Sequence, residues 1–144
     1  MQEYRVKVYE NRTEWYNLDN KLHRANDPAI EDVDGYKAWY LNGKRHREGG
    51  PALEYADGDK EWYLNGKLHR EDGPAVELSD NYKAWYLNGE LHREDGPAME
   101  WANGDKSWWL NGTKLTEEEF KERTGSCEGK EVEIEGKTYI LKLK

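Results

Sequence analysis

A fixed period of 23 residues runs through most of the chain. Five tryptophans are separated by 24, 23, 23 and 23 residues, and four histidines by 23 residues each time. These residues are Trp15, Trp39, Trp62, Trp85 and Trp108, and His23, His46, His69 and His92. Two residue types that share one period indicate a tandem repeat, in which a short unit buries its apolar side chains by stacking on its neighbours. The repeat therefore predicts a continuous core built from stacked units.

One unit contains the signals of short β-strands and tight turns. Residues 60–64 have the aromatic and apolar content of a strand, and Asn65-Gly66 after them is typical of a tight turn. A second strand is predicted at residues 75–78, after a Gly-Pro break. This spacing leaves no room for a crossover helix, so successive strands should pair antiparallel. The predicted fold is mainly β, an elongated antiparallel β-meander of about five 23-residue repeats with two strands per unit.

Alternation along the predicted strand places the aromatic residues on both faces of the sheet. Trp62 and Leu64 should point to one face and Tyr63 to the other, because successive side chains of a strand alternate. We expect the tryptophan row to form the core and the tyrosine row to be the more exposed. With two strands per unit, equivalent residues of adjacent units should lie roughly 10 Å apart.

The two ends of the chain depart from the repeat. We divide the chain into an N-terminal capping strand at residues 1–14, a tandem repeat domain at 15–115 and a C-terminal cap at 116–144. Within this cap, Thr116 and Glu119 form a capping box, Phe120 is apolar and Gly125 suits a helix end, so a short helix is predicted. The apolar residues after the helix predict a final β-hairpin that turns at residues 135–137.

Charge and composition exclude several classes of function. The net charge of −8 argues against binding to DNA or RNA and against electrostatic binding to an anionic membrane surface. No apolar run approaches a membrane span, no signal peptide is recognisable, and Cys127 is the single cysteine, so a cytoplasmic protein without disulfides is expected. Although 36% of the residues are charged, seven tryptophans and ten tyrosines supply the apolar area that a disordered chain lacks.

Repetition also argues against an active site or a metal centre. Every histidine and arginine of the motif has copies in equivalent surroundings, whereas catalysis needs one group with distinct surroundings. Histidines roughly 10 Å apart cannot share one zinc ion, whose ligands lie about 2 Å from the metal. We therefore expect no enzyme activity, no cofactor and no metal. Carboxylates of the His-Arg-Glu-Asp segments can instead pair with the arginines for stability.

A repeated aromatic and polar surface favours binding. The candidate binding residues are Tyr40, Tyr63, Tyr86, His46, His69, His92, Arg47, Arg70 and Arg93. The arginines either contact carboxylates or phosphates of a ligand or pair with neighbouring acidic loops, and the sequence leaves both open. A protein partner is the leading expectation and a small nucleotide-like ligand is the alternative. Apolar sheet faces or edges could also pair two chains into a homodimer.

The strand, the Asn-Gly-Lys-x-His motif and the Asp-Gly-Asp-Lys turn resemble the MORN repeat, which has a similar period. The resemblance covers residues 15–112 and implies a meander of stacked hairpins that acts as a scaffold for protein partners, and sometimes for membrane lipids. Arginine follows each histidine here, where the MORN pattern has glycine. The variant W-Y-x-N-G-x-x-H-R-x-x-G-P-A is also similar to repeats of phage and large-virus proteins, which implies an inhibitor of a host defence protein or of its signalling molecule, acting in the host cytoplasm.

Overall fold

The computed structural model describes residues 3–125, 131–134 and 137–140. Its one helix within these residues is α1 (Glu117–Thr124). The strands, in chain order, are β1 (Arg5–Val8), β2 (Arg12–Tyr16), β3 (Ile30–Asp32), β4 (Lys37–Ala38), β5 (Tyr40–Leu41), β6 (Lys44–Arg45), β7 (Leu53–Glu54), β8 (Lys60–Glu61), β9 (Tyr63–Leu64), β10 (Lys67–Leu68), β11 (Val76–Glu77), β12 (Lys83–Ala84), β13 (Tyr86–Leu87), β14 (Glu90–Leu91), β15 (Met99–Glu100), β16 (Lys106–Leu110), β17 (Thr113–Leu115), β18 (Glu131–Ile134) and β19 (Lys137–Ile140).

The main structural element is an 11-stranded antiparallel sheet, which confirms the predicted mainly β meander. Its strand order is β1-β2-β3-β4-β7-β8-β11-β12-β15-β16-β17. Neighbours in this order pair antiparallel with a repeated register, for example Leu53 with Glu61 and Val76 with Ala84. Each central unit contributes two strands to the sheet, so equivalent positions of adjacent units are two strands apart.

A second row of short hairpins lies beside this sheet, and here the predicted strand count is wrong. The hairpins β5-β6, β9-β10 and β13-β14 are separate two-stranded sheets, so a central unit has four strands instead of two. The strand predicted at residues 60–64 is interrupted at Trp62, whose N–H donates to the carbonyl of Ala75, next to β11 of the main sheet, while its C=O accepts from the N–H of His69, next to β10 of the hairpin. Trp39, Trp62 and Trp85 therefore mark the points where the chain passes from the sheet to a hairpin, whereas Trp15 and Trp108 lie within continuous strands.

The Asn-Gly turns close these hairpins as the sequence predicts. Asn65 and Gly66 both have positive φ, 52° and 84°, a combination typical of the two-residue hairpin turn that follows the twist of the strands. The turn also contacts the preceding unit, because the Gly66 N–H donates to the Arg45 carbonyl at 2.8 Å. The same bond recurs from Gly89 to Leu68. Stacking of the units is thus built into the turns.

The core is shallow and consists largely of small side chains. The fully inaccessible alanines are Ala29, Ala38, Ala52, Ala75, Ala84 and Ala98. One buried cluster joins Ile30, Ala38 and Leu53, and Tyr40 and Tyr63 pack against it. Both tyrosines are thus partly buried. Trp39, at 6% exposure, is more buried than the adjacent Tyr40, as the sequence predicts.

The C-terminal helix and hairpin are both confirmed. The Thr116 Oγ1 accepts from the Glu119 N–H, the Glu119 carboxylate accepts from the Thr116 N–H, Phe120 is buried, and Gly125 ends the helix with φ 65°. Strands β18 and β19 pair antiparallel. Cys127 and part of the predicted turn lie outside the described residues.

Candidate functional site

Each arginine of the His-Arg motif lies over the indole ring of its own unit. The distance from the guanidinium carbon to the ring centroid is 3.7 Å for Arg47 on Trp39 and 4.0 Å for Arg70 on Trp62. It is 3.9 Å for the equivalent pair of the next unit, Arg93 on Trp85. A guanidinium at this distance from the ring face is attracted to the negative π system and covers apolar area.

Hydrogen bonds then hold the guanidinium in place. Arg70 donates from Nη1 to the Pro74 carbonyl at 3.1 Å and to the Glu77 carboxylate at 2.7 Å. Its Nε donates to Asp72 at 2.9 Å, and this bond to the arginine lowers the pKa of Asp72. The carbonyl and glutamate bonds recur for Arg24, Arg47 and Arg93. The arginines therefore pair within the chain, which was one of the two alternatives that the sequence left open.

The glycine of the Arg-x-x-Gly-Pro motif makes room for this arginine. A Cβ at Gly73 would lie 2.9 Å from the Arg70 guanidinium carbon, and one at Gly50 would lie 3.1 Å from that of Arg47. The guanidinium is thus confined between an indole ring and a glycine. In the first unit Asp27 replaces this glycine and forms an ion pair with Arg24 at 3.4 Å.

The histidines connect adjacent units. His69 Nδ1 accepts from the Asn88 N–H of the next unit at 3.1 Å, and His46 accepts in the same way from Asn65. Because Nδ1 accepts, the neutral ring carries its proton on Nε2. In His69 this nitrogen lies 3.7 Å from the Glu71 carboxylate. The ring is therefore oriented by one backbone donor and one acidic side chain.

Three clefts line up along the loops that contain these residues. The first cleft encloses about 450 Å³ and is lined by Ala25, Asn26, Trp39, Leu41, His46, Arg47 and Glu48. The second encloses about 520 Å³ and is lined by Arg47, Glu48, Gly49, Gly50, Pro51, Trp62, Leu64, His69, Arg70, Glu71 and Asp72. The third encloses about 780 Å³ and is lined by Arg70, Glu71, Asp72, Gly73, Pro74, Trp85, Leu87, His92, Arg93, Glu94 and Asp95. Adjacent clefts share residues, so they form one continuous row.

The predicted binding residues divide between two places. All the predicted histidines and arginines line the clefts, whereas Tyr40, Tyr63 and Tyr86 line none of the three. The Tyr63 hydroxyl donates to Glu61 at 2.7 Å and accepts from Arg45 at 3.1 Å. Burial, and then the bond to Glu61, raise the pKa of Tyr63 to about 12. The structure therefore separates the tyrosines from the His-Arg row.

The most accessible polar groups of the clefts are carboxylates, which are not among the binding residues predicted from the sequence. The exposed fraction of the side chain is 85% for Glu71 and 80% for Glu94. The third cleft has four carboxylates in its walls, those of Glu71, Asp72, Glu94 and Asp95, against two guanidinium groups. Placement of these acids beside the repeated Trp-Leu pair is the signal that could have identified them.

A second repeated feature was also missed. The rings of Tyr36 and Tyr55 contact each other in a tilted arrangement with centroids 5.2 Å apart, and those of Tyr82 and Trp101 do the same at 5.7 Å. Both members of the second pair follow those of the first by 46 residues, twice the repeat period. These pairs lie outside the three clefts.

Comparison with known proteins identifies no family. Neither a scan against protein-family models nor a search of curated proteins finds a match for the chain. Among residues 3–125, 131–134 and 137–140, no three His, Cys, Asp or Glu side chains are placed to hold a metal ion together. In that same part of the chain, no helix is long and apolar enough to span a bilayer.

Proposed function

We propose that the chain is a non-enzymatic scaffold whose row of clefts binds a protein partner. The observation that carries this proposal is the repetition of a Trp-Leu pair beside a His-Arg-Glu loop in the clefts of three adjacent units. A row of equivalent clefts suits an extended ligand that makes the same contact several times, and it offers no single position for chemistry. Scaffolding of protein partners is also the role that the MORN resemblance implies.

The charge of the clefts supports a cationic partner. The guanidinium groups of Arg70 and Arg93 are already engaged by carboxylates of their own units, whereas the Glu71 and Glu94 side chains extend into solvent. An incoming anion would face these carboxylates, and an incoming lysine or arginine would pair with them. This arrangement favours a basic protein segment over a nucleotide-like ligand. The viral inhibitor and the homodimer stay predictions.

A pair of charge-neutralising variants tests the proposal. The cleft variant is Glu71→Gln with Glu94→Gln, and the matched control is Glu10→Gln with Glu122→Gln, which removes the same charge at exposed residues outside the clefts. Each immobilised protein is used to capture proteins from a lysate of its native cells, followed by quantitative mass spectrometry. We expect a partner that binds the wild-type protein and the control equally and the cleft variant at least about fivefold less.

Two results would contradict the scaffold. Equal capture by the cleft variant and the wild type would exclude the clefts as the binding surface. Calorimetric titration with nucleotides that gave tight binding at the clefts would favour the small-molecule alternative. Variants of Tyr63 or Arg70 are less suitable for this test, because both side chains support the fold.

A further inference from the structure

We infer that the clefts recognise a polypeptide in the polyproline II conformation with a lysine or arginine at every third residue. This inference rests on the proposed function and names the class of segment that the row of clefts accepts. It depends on the spacing of the clefts, on the curvature of their row and on the placement of the carboxylates.

The spacing follows from the sheet. Each unit adds two strands to the main sheet, and strands lie about 4.8 Å apart, so adjacent clefts are separated by roughly 10 Å. A polyproline II chain advances about 3.1 Å per residue with three residues per turn. Every third side chain therefore points in the same direction and is displaced by about 9 Å, close to the separation of the clefts.

Two other regular conformations fit less well. In a β-strand, residues three apart point to opposite faces, so only every other cationic side chain would meet a cleft. In an α-helix, residues seven apart lie on one side and about 10.5 Å apart, which also matches the separation of two adjacent clefts. Strands of a sheet rotate by roughly 20–25° relative to their neighbours, so the row of clefts turns by roughly 40–50° per unit. A straight helix cannot follow that row across three clefts. A polyproline II chain has no internal hydrogen bonds, so it can twist to follow the row.

The cleft walls supply the partner for each cationic side chain. Because Glu48 lines both the first and second clefts, and Glu71 and Asp72 line both the second and third, acidic walls separate adjacent clefts. The alkyl stem of the incoming side chain would pack on the Leu64 or Leu87 side chain that lines its cleft. Since each indole already holds an arginine of its own unit, the carboxylates provide the main attraction.

The acidity of the walls also rises along the row. One carboxylate lines the first cleft, three line the second and four line the third. Removal of acidic side chains from the third cleft should therefore weaken binding more than the change Glu48→Gln between the first and second clefts.

Fluorescence polarisation with labelled peptides tests this inference on the complete chain. Three peptides contain four lysines and eight prolines each, with lysine at every third residue, at alternate residues, or in one block. A fourth is a helical peptide with four lysines seven residues apart. We expect the first peptide to bind about tenfold more tightly than the other three, because it engages successive clefts together. The cleft variant, Glu71→Gln with Glu94→Gln, should lose most of this preference, and the control, Glu10→Gln with Glu122→Gln, should keep it.

The outcomes separate the inference from the proposed function. Equal binding of the three proline-containing peptides would show that only total charge matters and would overturn the inference, as would tighter binding of the helical peptide. If no peptide binds while capture of the cellular partner still depends on Glu71 and Glu94, the inference fails and the scaffold stands. If capture itself is insensitive to these residues, the scaffold fails.

Discussion

The backbone N–H of Asn88 donates to Nδ1 of His69, which precedes it by 19 residues and belongs to the preceding unit. The same bond joins Asn42 to His23, Asn65 to His46 and Asn111 to His92, at 3.0–3.1 Å. Each of these asparagines has positive φ, between 48° and 54°. The repeated histidine thus fixes an Asn-Gly turn of the next unit, while the repeated arginine packs on the tryptophan of its own unit. The histidine of each His-Arg pair therefore connects two units, and the arginine stabilises its own unit.

Replacement of His69 should reveal the bond between units. The change His69→Leu leaves the Asn88 N–H without its acceptor, and we expect it to lower the free energy of unfolding by about 1 kcal/mol. His69→Asn should cost less, because an amide oxygen can take the place of Nδ1. Urea unfolding followed by circular dichroism measures both. Equal losses for the two variants would show that the ring packs without using Nδ1 as an acceptor.

Replacement of Arg70 should be more damaging. Arg70→Ala removes the stacking on Trp62 and the bonds to Pro74 and Glu77, and we expect a loss of about 2–3 kcal/mol. Arg70→Lys keeps the charge but lacks the flat guanidinium, so about 1 kcal/mol should be lost. Arg5→Ala, at an exposed position, is the control and should stay within about 0.5 kcal/mol. Chemical denaturation monitored by tryptophan fluorescence measures these values. An Arg70→Ala variant as stable as the wild type would contradict the structural role of Arg70.

Gly73 and Arg70 should be energetically coupled. The change Gly73→Ala places a Cβ against the Arg70 guanidinium, and we expect it to cost about 1–2 kcal/mol through displacement of that group. In an Arg70→Ala background the same change should cost about 1 kcal/mol less, since the crowded group is absent. A double-mutant cycle from thermal unfolding measures this coupling. Additive effects would indicate that the glycine is required for the backbone and not for the arginine.

Tyr63 should make the fold sensitive to high pH. Burial raises its pKa from 10.0 to about 12 in the folded chain. A folded chain that holds this proton more tightly than the unfolded chain gains stability from it below pH 10, and that contribution is lost as the pH rises through about 12. Tyr63→Phe removes this loss, so its unfolding free energy should fall less steeply between about pH 10 and about pH 12. Urea unfolding at each pH measures both proteins. If the unfolding free energies of the wild type and Tyr63→Phe fell in parallel with pH, the pKa shift of Tyr63 would not be the cause.

The features that depend on local backbone geometry could be predicted from the sequence. The Asn-Gly turns require positive φ at both residues, and the helix start requires a capping side chain at Thr116, so residue type alone indicates them. The strand interruption at Trp62 could not be predicted in this way. Its N–H donates to the carbonyl of Ala75, next to β11 of the main sheet, and its C=O accepts from the N–H of His69, next to β10 of the hairpin. No local propensity distinguishes such a residue from one inside a continuous strand.

The candidate site shows the same division. Periodicity alone identified the histidines and arginines as repeated polar residues, because a fixed spacing is visible in the chain. It could not separate them from Tyr40, Tyr63 and Tyr86, since these tyrosines belong to the same hairpins and only the contacts of the folded chain place them outside the clefts. Nor could it show that Arg70 is already satisfied by Trp62 and Glu77, leaving the carboxylates as the accessible groups.

The sequence by itself determined that this protein is an antiparallel stack of 23-residue units closed by a helix, because period, turns and caps are properties of short segments. Only the tertiary structure decided which side chains make contacts within and between the units and which remain exposed. Contacts such as those of Arg70 with Trp62, and of His69 with Asn88, form when hairpins and sheet come together. The carboxylates of Glu71 and Glu94 remain largely exposed in that arrangement, beside the histidines of their own units.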